Sequence, residues 1–248
     1  MSESLAGKVV VFIGGTGGIG VATGRRFAAA GARVVVAGQT VESAQEIVTG
    51  LPGTGHLAAA VSIADSATLN QLAADVAGRY GHADVLVNAA GFTKPVPHAD
   101  LDALTDELID DIMRVNWRAQ FAAVRAFRAL LDKSGAGLIV NVSSISGSNG
   151  IGSNIAYCAA KAGLDVMTMS LARVLAPRVR ILNVSPGVVD TGFVPGRSAD
   201  FNDKVANTTP LRRIGSADDI AQAIEACATH LTFSTGTTIV VDGGRRLS

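Results

Sequence analysis

Val9-Val10-Val11-Phe12-Ile13, followed at once by Gly14-Gly15-Thr16-Gly17-Gly18-Ile19-Gly20, is the stretch that decides the architecture of this chain. Five apolar residues in a row, four of them β-branched, read as a strand covered on both faces, because a half-exposed strand would alternate. The glycines then allow a tight turn into a helix. They also let main-chain N–H groups at the helix start come close to a phosphate. A second apolar run at 34–37 completes a strand–turn–helix–strand unit, the context in which such a turn takes a dinucleotide. Without that context, the same glycines would mark a tight turn and nothing more.

Outward from this unit, further apolar runs recur at 56–61, 85–87, 138–142, 180–184 and 238–241. Helical patterns lie near 18–30, 41–50, 66–80, 101–132, 154–176 and 217–229. Regular alternation of the two predicts seven parallel strands joined by right-handed crossovers, an open doubly wound α/β sheet with helices on both faces. Ser216 and Asp219 have capping-box spacing, and Gly31 and Gly81 follow helices where a left-handed cap is wanted. No repeat or linker-like stretch divides the chain, so residues 1–248 read as one dinucleotide-binding domain. The long irregular segment 192–215 reads as its substrate loop.

Composition narrows the function. Hydrophobic residues make up 48% and charged residues 17%, which excludes a disordered chain. Lys+Arg and Asp+Glu balance at 21 each, so no net field gathers nucleic acid or an anionic membrane. The uncharged run 134–160 is too polar to span a bilayer, with Asn141, Ser143, Ser144, Asn149 and Asn154 inside it. The opening MSESLAGK carries Glu3 and does not read as a secretory leader. Cys158 and Cys227 cannot build a disulfide framework, and His56, His82, His98 and His230 lack metal-ligand spacing. The expectation is a soluble cytoplasmic protein without a metal site.

Tyr157 and Lys161 stand four apart in a helical pattern and therefore share a face. An ammonium beside a phenol favours phenolate and draws its pKa down from about 10 toward working pH. Such a tyrosine can act as general acid for ketone reduction or base for alcohol oxidation. Ser143 and Ser144 end a buried strand, so only one of them can face a site. Out of context these are a helix-surface pair and two turn hydroxyls. Asn116 is then a polar residue inside a helix. Cys158, about 100° around the helix from Tyr157, reads as a packed thiol.

Taken together and in order, these motifs resemble the short-chain dehydrogenase/reductase family over nearly the whole chain. Gly14, Gly18 and Gly20 match its G-x-x-x-G-x-G turn, with Ile13 where the family has Thr. Asn88-Ala89-Ala90-Gly91 is similar to N-N-A-G, with the second Asn lost. Ser144 lies 13 residues before Tyr157, Tyr157 to Lys161 fits Y-x-x-x-K, and Pro186 to Thr191 fits P-G-x-x-x-T. Val241-Asp242-Gly243-Gly244 resembles the closing segment.

The resemblance implies a Rossmann-like fold and an NAD(P)(H)-dependent oxidoreductase of ketones and secondary alcohols. It implies Ser144 on the substrate oxygen, Tyr157 as proton donor, and Lys161 on the nicotinamide ribose. Asn116 would position a water in a relay to Lys161. Gly14, Thr16, Gly17, Gly18, Ile19, Gly20, Asn88, Ala89 and Gly91 would contact the cofactor. Pro186, Gly187, Val189 and Thr191 would hold its carboxamide end. At the 2′ position Gly38-Gln39-Thr40 carries no carboxylate, so Gln39 and Thr40 could donate to a phosphate. NADP(H) is favoured and NAD(H) remains the alternative. Ser62-Ile63 stands where the family has Asp-Val or Asp-Leu against adenine.

The competing class is a non-catalytic nucleotide-binding sensor or scaffold on the same fold. An intact Asn116, Ser144, Tyr157 and Lys161 set argues against it. Lyase or epimerase relatives have longer substrate domains. Residues 93–100 and 192–209, with Phe193, Val194, Phe201, Lys94, Arg197 and Lys204, are expected to line a pocket for a medium-sized carbonyl, 3-oxoacyl thioesters among them. The pattern is similar to 3-oxoacyl-carrier-protein reductases and to polyol dehydrogenases alike. Apolar residues all round 154–176, and a last strand at the sheet edge, point to a homotetramer or homodimer.

Overall fold

The computed structural model describes residues 3–196, 198 and 200–247. Arg197, expected in the pocket wall, lies outside the described residues. β1 (Val9–Ile13) is buried along its whole length at the centre of a parallel sheet. The other strands are β2 (Arg33–Gly38), β3 (Leu57–Ala60), β4 (Val85–Asn88), β5 (Gly137–Val142), β6 (Val179–Pro186) and β7 (Thr238–Val241). Their order is β3-β2-β1-β4-β5-β6-β7, so all seven expected strands are present and β7 forms an edge.

The continuous apolar runs split by alternation into two cores. Val9, Val11 and Ile13 face α3 (Ser66–Tyr80) and α5 (Ala119–Lys133), where Leu69, Leu72, Phe127 and Leu131 pack. Val10 and Phe12 face α1 (Gly18–Ala29) and α9 (Ala217–Thr229), where Phe27, Ile220 and Ile224 pack. Phe12 meets Phe27 edge-to-face at 5.6 Å. α2 (Val41–Thr49) and α7 (Ile155–Leu175) complete the layers. The capping box at Ser216 and Asp219 forms, and Gly81 ends α3 at φ 80°.

Two expectations fail locally, and a third difference is an element the sequence reading did not foresee. The run 101–132 is not one helix: α4 (Asp106–Met113) starts only after the Thr105 cap and gives way to a π-helical turn, Arg114–Arg118. Asn116 explains the turn. Its amide takes the Ile112 carbonyl at 3.0 Å, the acceptor four residues back that a regular helix gives to the main-chain N–H. Second, 192–215 is not wholly irregular, since α8 (Phe201–Thr208) lies inside it. Third, a short α6 (Ser146–Asn149) follows β5.

Gly20 is packed against the turn that precedes it. A Cβ there would fall 2.7 Å from Gly15 Cα. Gly24, about one helical turn further along α1, has its nearest neighbour at 3.9 Å. Thermal unfolding should therefore separate the two substitutions by sign. Gly20→Ala should destabilise by about 1–3 kcal/mol through overpacking. Gly24→Ala should stabilise by about 0.5–1 kcal/mol through helix propensity.

Candidate active site

β1 and β4 stay paired to their C-terminal ends, the connections that follow turn to opposite faces of the sheet, and a cavity of about 1300 Å3 opens there. Gly14 and Gly17 to Gly20 form one wall, Ala89 to Gly91 another, and Pro186 to Val189 with Thr191 a third. Ser144, Tyr157 and Lys161 line the same cavity. The base is closed by backbone contact: Gly14, at φ 83°, leaves no room for a Cβ, which would sit 2.6 Å from Ala90 Cα.

The start of α1 fits a dinucleotide pyrophosphate. α2, α3, α4, α7 and α9 each receive a side-chain cap, from Thr40, Asp65, Thr105, Asn154 and Ser216. Gly17 gives α1 none, and its first turn carries no acid. Uncapped N–H groups at a helix start, facing a cavity, suit an anion.

Tyr157 is 7% exposed and stands beside Ser144, whose Oγ donates to Ser146 Oγ at 3.1 Å and accepts from the Ser146 N–H at 3.2 Å. Asn154 fixes its main chain, accepting from the Tyr157 N–H at 2.7 Å while donating to the Lys94 carbonyl at 2.8 Å. Phe193 covers the ring at 6.1 Å between centroids. Lys161 Nζ lies 5.6 Å from that ring's centroid and donates to the Val142 carbonyl at 2.7 Å. The expected lowering of the Tyr157 pKa by Lys161 is not what this geometry produces. Burial pushes the phenol well above its ordinary value, against the opposing effect of the Ser144 hydroxyl. The ammonium points at a carbonyl rather than at the phenol oxygen. Burial also draws Lys161 down to about 8, with Asp165 acting the other way.

Ser143 and Ser144 both line the cavity, contrary to the expectation that only one would face it, but their hydroxyls go to different partners. Ser144 meets Tyr157, while Ser143 Oγ donates to Asp165 Oδ1 at 2.7 Å. Cys158 is a buried thiol whose pKa burial raises, as a packed residue should be.

Several expected contacts are placed elsewhere. Asn88 does not line the cavity; its amide donates to Asn141 Oδ1 at 2.9 Å. Asn116 does not line it either, since its side chain is spent on the Phe92 and Ile112 carbonyls and the Phe92 N–H. Thr40 Oγ1 caps α2 through the Ser43 N–H at 3.2 Å, and so is engaged locally. Gly38 and Thr16 do meet, for a Cβ on Gly38 would lie 2.7 Å from Thr16 Cγ2 and 3.1 Å from Ser43 Oγ. Gln39 and Ser62 are exposed, and Ile63 packs against the core. Lys94 and Lys204 are absent from the cavity wall, and Lys204 pairs with Asp200 at 2.5 Å. Arg245 lines the wall instead. Its place near the C-terminus gave no spacing signal in the sequence. Asn154 had one, a capping residue three positions before Tyr157.

Comparison with known proteins identifies the family. A family model described as enoyl-(acyl carrier protein) reductase matches residues 14–246. The chain is 37% identical over 242 residues to ketoacyl reductase 2 named for the granaticin polyketide synthase of Streptomyces violaceoruber, covering 96% of each. It is 34% identical over 249 residues to cis-4-hydroxycyclohexanecarboxylate dehydrogenase of Sinomonas cyclohexanicum, covering 98% of each. A crystal structure titled as a short-chain dehydrogenase/reductase from Burkholderia xenovorans superposes with a TM-score of 0.89 at 30% identity, covering 98% of this chain and 99% of that one. With this match and these relatives, the chain belongs to the short-chain dehydrogenase/reductases, the NAD(P)(H)-dependent oxidoreductases of carbonyls and alcohols.

Proposed function

We propose that this enzyme reduces a medium-sized ketone to a secondary alcohol with NADPH, in the cytoplasm, as a homotetramer or homodimer. One observation carries the reading: the Ser144 and Tyr157 hydroxyl groups stand side by side on the wall of the cavity that the glycine turn opens into. Gly14 and Thr16 to Gly20 hold the pyrophosphate. Gly187, Val189 and Thr191 hold the carboxamide. A bound nicotinamide supplies the hydride chemistry. Ser144 donates to the substrate oxygen as it gains charge, a kind of contact worth about 10²–10³ in kcat. Tyr157 delivers the proton to that oxygen. Its raised pKa keeps it a phenol at neutral pH, which suits the reductive direction. Lys161 binds the ribose hydroxyls. Asn116 pins the segment after Gly91 through Phe92, so any part it takes in a proton relay runs through its main chain.

Pro95, Ile151, Phe193, Val194 and Phe201 give the substrate side an apolar wall, and the segment 192–215 acts as substrate loop. That wall suits a 3-oxoacyl thioester or a cyclic alcohol, and the two relatives are named for a ketoacyl group and for a hydroxycyclohexanecarboxylate. A panel of such ketones and alcohols, assayed with NADPH and NADH, tests the reading directly.

Tyr157→Phe keeps the ring packing and removes the donor. Its fold and cofactor affinity should survive while turnover falls about 10²–10⁴-fold. Turnover above about a tenth of the parent rate would reject the role.

The adenine-ribose end is neutral, made by Gly38, Gln39 and the Thr16 and Ser43 side chains beside Gly38. Calorimetry should find NADPH bound more tightly than NADH, and Gln39→Arg should widen the gap about tenfold, or 1.4 kcal/mol. Tighter binding of NADH by the parent protein would reverse the assignment.

Phe121 on α5 and Val166, Met169 and Val174 on α7 are exposed apolar side chains, 39–74% accessible. A second copy covers them most simply. Light scattering should give a mass of two or four times the 25.2 kDa chain.

A further inference from the structure

Lys161 carries its charge in a poor place for one. Its side chain is 3% exposed and its described hydrogen bond goes to a single carbonyl, that of Val142. Neighbouring charges are few. On α7 the groups beside it are the Tyr157 phenol, the Cys158 thiol and Asp165. From β5 come the Val142 carbonyl, Ser143 and Ser144, and from the π turn Asn116, all uncharged. Among the described residues, the other charged side chain on the cavity wall is Arg245.

Asp165 lies one helical turn beyond Lys161, on the same face of α7. It is firmly held. Oδ1 accepts from Ser143 Oγ at 2.7 Å and from Asn183 Nδ2 at 2.7 Å. Asn183 is fully buried on β6, and its own Oδ1 accepts from Thr168 at 2.7 Å and Asn141 at 3.2 Å. Both donors to Asp165 are neutral, and among the described residues no cation stands within ion-pair distance of it. Its negative charge is thus fixed in place and unspent. The charge on Lys161 is the one it opposes losing, and Asp165 is the one group whose field raises that lysine's pKa.

We propose that Asp165, held by Ser143 and Asn183, is a positioning residue that keeps the Lys161 ammonium charged and aligned under Tyr157. The proposal rests on Lys161 serving the proton step, as read above. It also gives Ser143 a task distinct from that of Ser144.

The test is a titration of the protein without cofactor, labelled with ¹³C at lysine Cε, with the Lys161 resonance assigned by its loss in Lys161→Met. In Asp165→Asn the Lys161 midpoint should fall by about half a pH unit or more, because a lost opposite charge favours the neutral amine. Ser143→Ala removes one of the two hydrogen bonds and should move the midpoint the same way by less. It also serves if Asp165→Asn does not fold. The alkaline limb of ketone reduction, measured at saturating cofactor, should move down with the midpoint. A role in packing alone would lower the melting temperature and leave both in place. An unmoved Lys161 midpoint in the folded variants overturns the proposal. If the midpoint moves but Lys161→Met keeps full turnover, the hold of Asp165 on Lys161 stands and the role of Lys161 in the proton step is what fails.

Discussion

β2 lies on one side of β1 and β4 on the other, and the site depends on that divergence. The chain leaves β1 through α1 onto one face of the sheet, and leaves β4 toward α5 on the opposite face. Two connections that turn away from each other cannot fill the space above the strands between them. A cleft is therefore forced at the carboxyl ends of β1 and β4. Gly14 lets the two turns touch at its floor, against Ala90. The cavity is closed below by backbone and open above, and an uncapped helix points into it.

Inside the sheet, a polar row keeps the strands in step. Asn88, Asn141 and Asn183 are directly paired on three adjacent strands, in an otherwise apolar interior. Their amides bond one another and Thr168. A slip of one residue on any of these strands would turn an amide to the opposite face and strand its partners, at about 1–3 kcal/mol for each unsatisfied group. The row thus fixes the relative height of β4, β5 and β6. Gly91, Ser144 and Gly187 sit three or four residues beyond it and take their places around the cavity from that register. Asn88 is better understood as part of this row than as a cofactor contact.

What the sequence revealed and what it hid follow from the range of the forces involved. Val9 to Ile13 and the six later runs carried their own burial pattern, so strand number, parallel sense and the central glycine turn could be read directly. Tyr157 and Lys161 could be read because helix geometry fixes i and i+4 on one face. The π turn could not, because it arises from a single amide, that of Asn116, competing for one carbonyl. The ties of Asp165 to Ser143 and Asn183 span 22 and 18 residues and three elements, and no local pattern announces them. The Tyr157 pKa was misjudged for the same reason. Helical spacing sets the side on which Lys161 stands, but not that its ammonium turns to Val142.

Burial acts on the two titrating groups of the site in opposite directions. It raises the phenol and lowers the amine, because in each case the neutral form is the one that tolerates leaving water. Both shifts disfavour the phenolate–ammonium pair that alcohol oxidation would start from. Both leave the neutral phenol that ketone reduction needs. The cost falls on Lys161, whose proposed hold on a ribose is strongest as an ammonium. A carboxylate in contact with Tyr157 would raise the phenol further and compete for the substrate's oxygen site. Placed one turn along α7, behind Ser143, Asp165 supports the lysine without reaching the cavity wall. Ser144 and Ser143 are adjacent in sequence but their hydroxyls meet different partners, so one strand end can take on the proposed substrate and lysine roles at once.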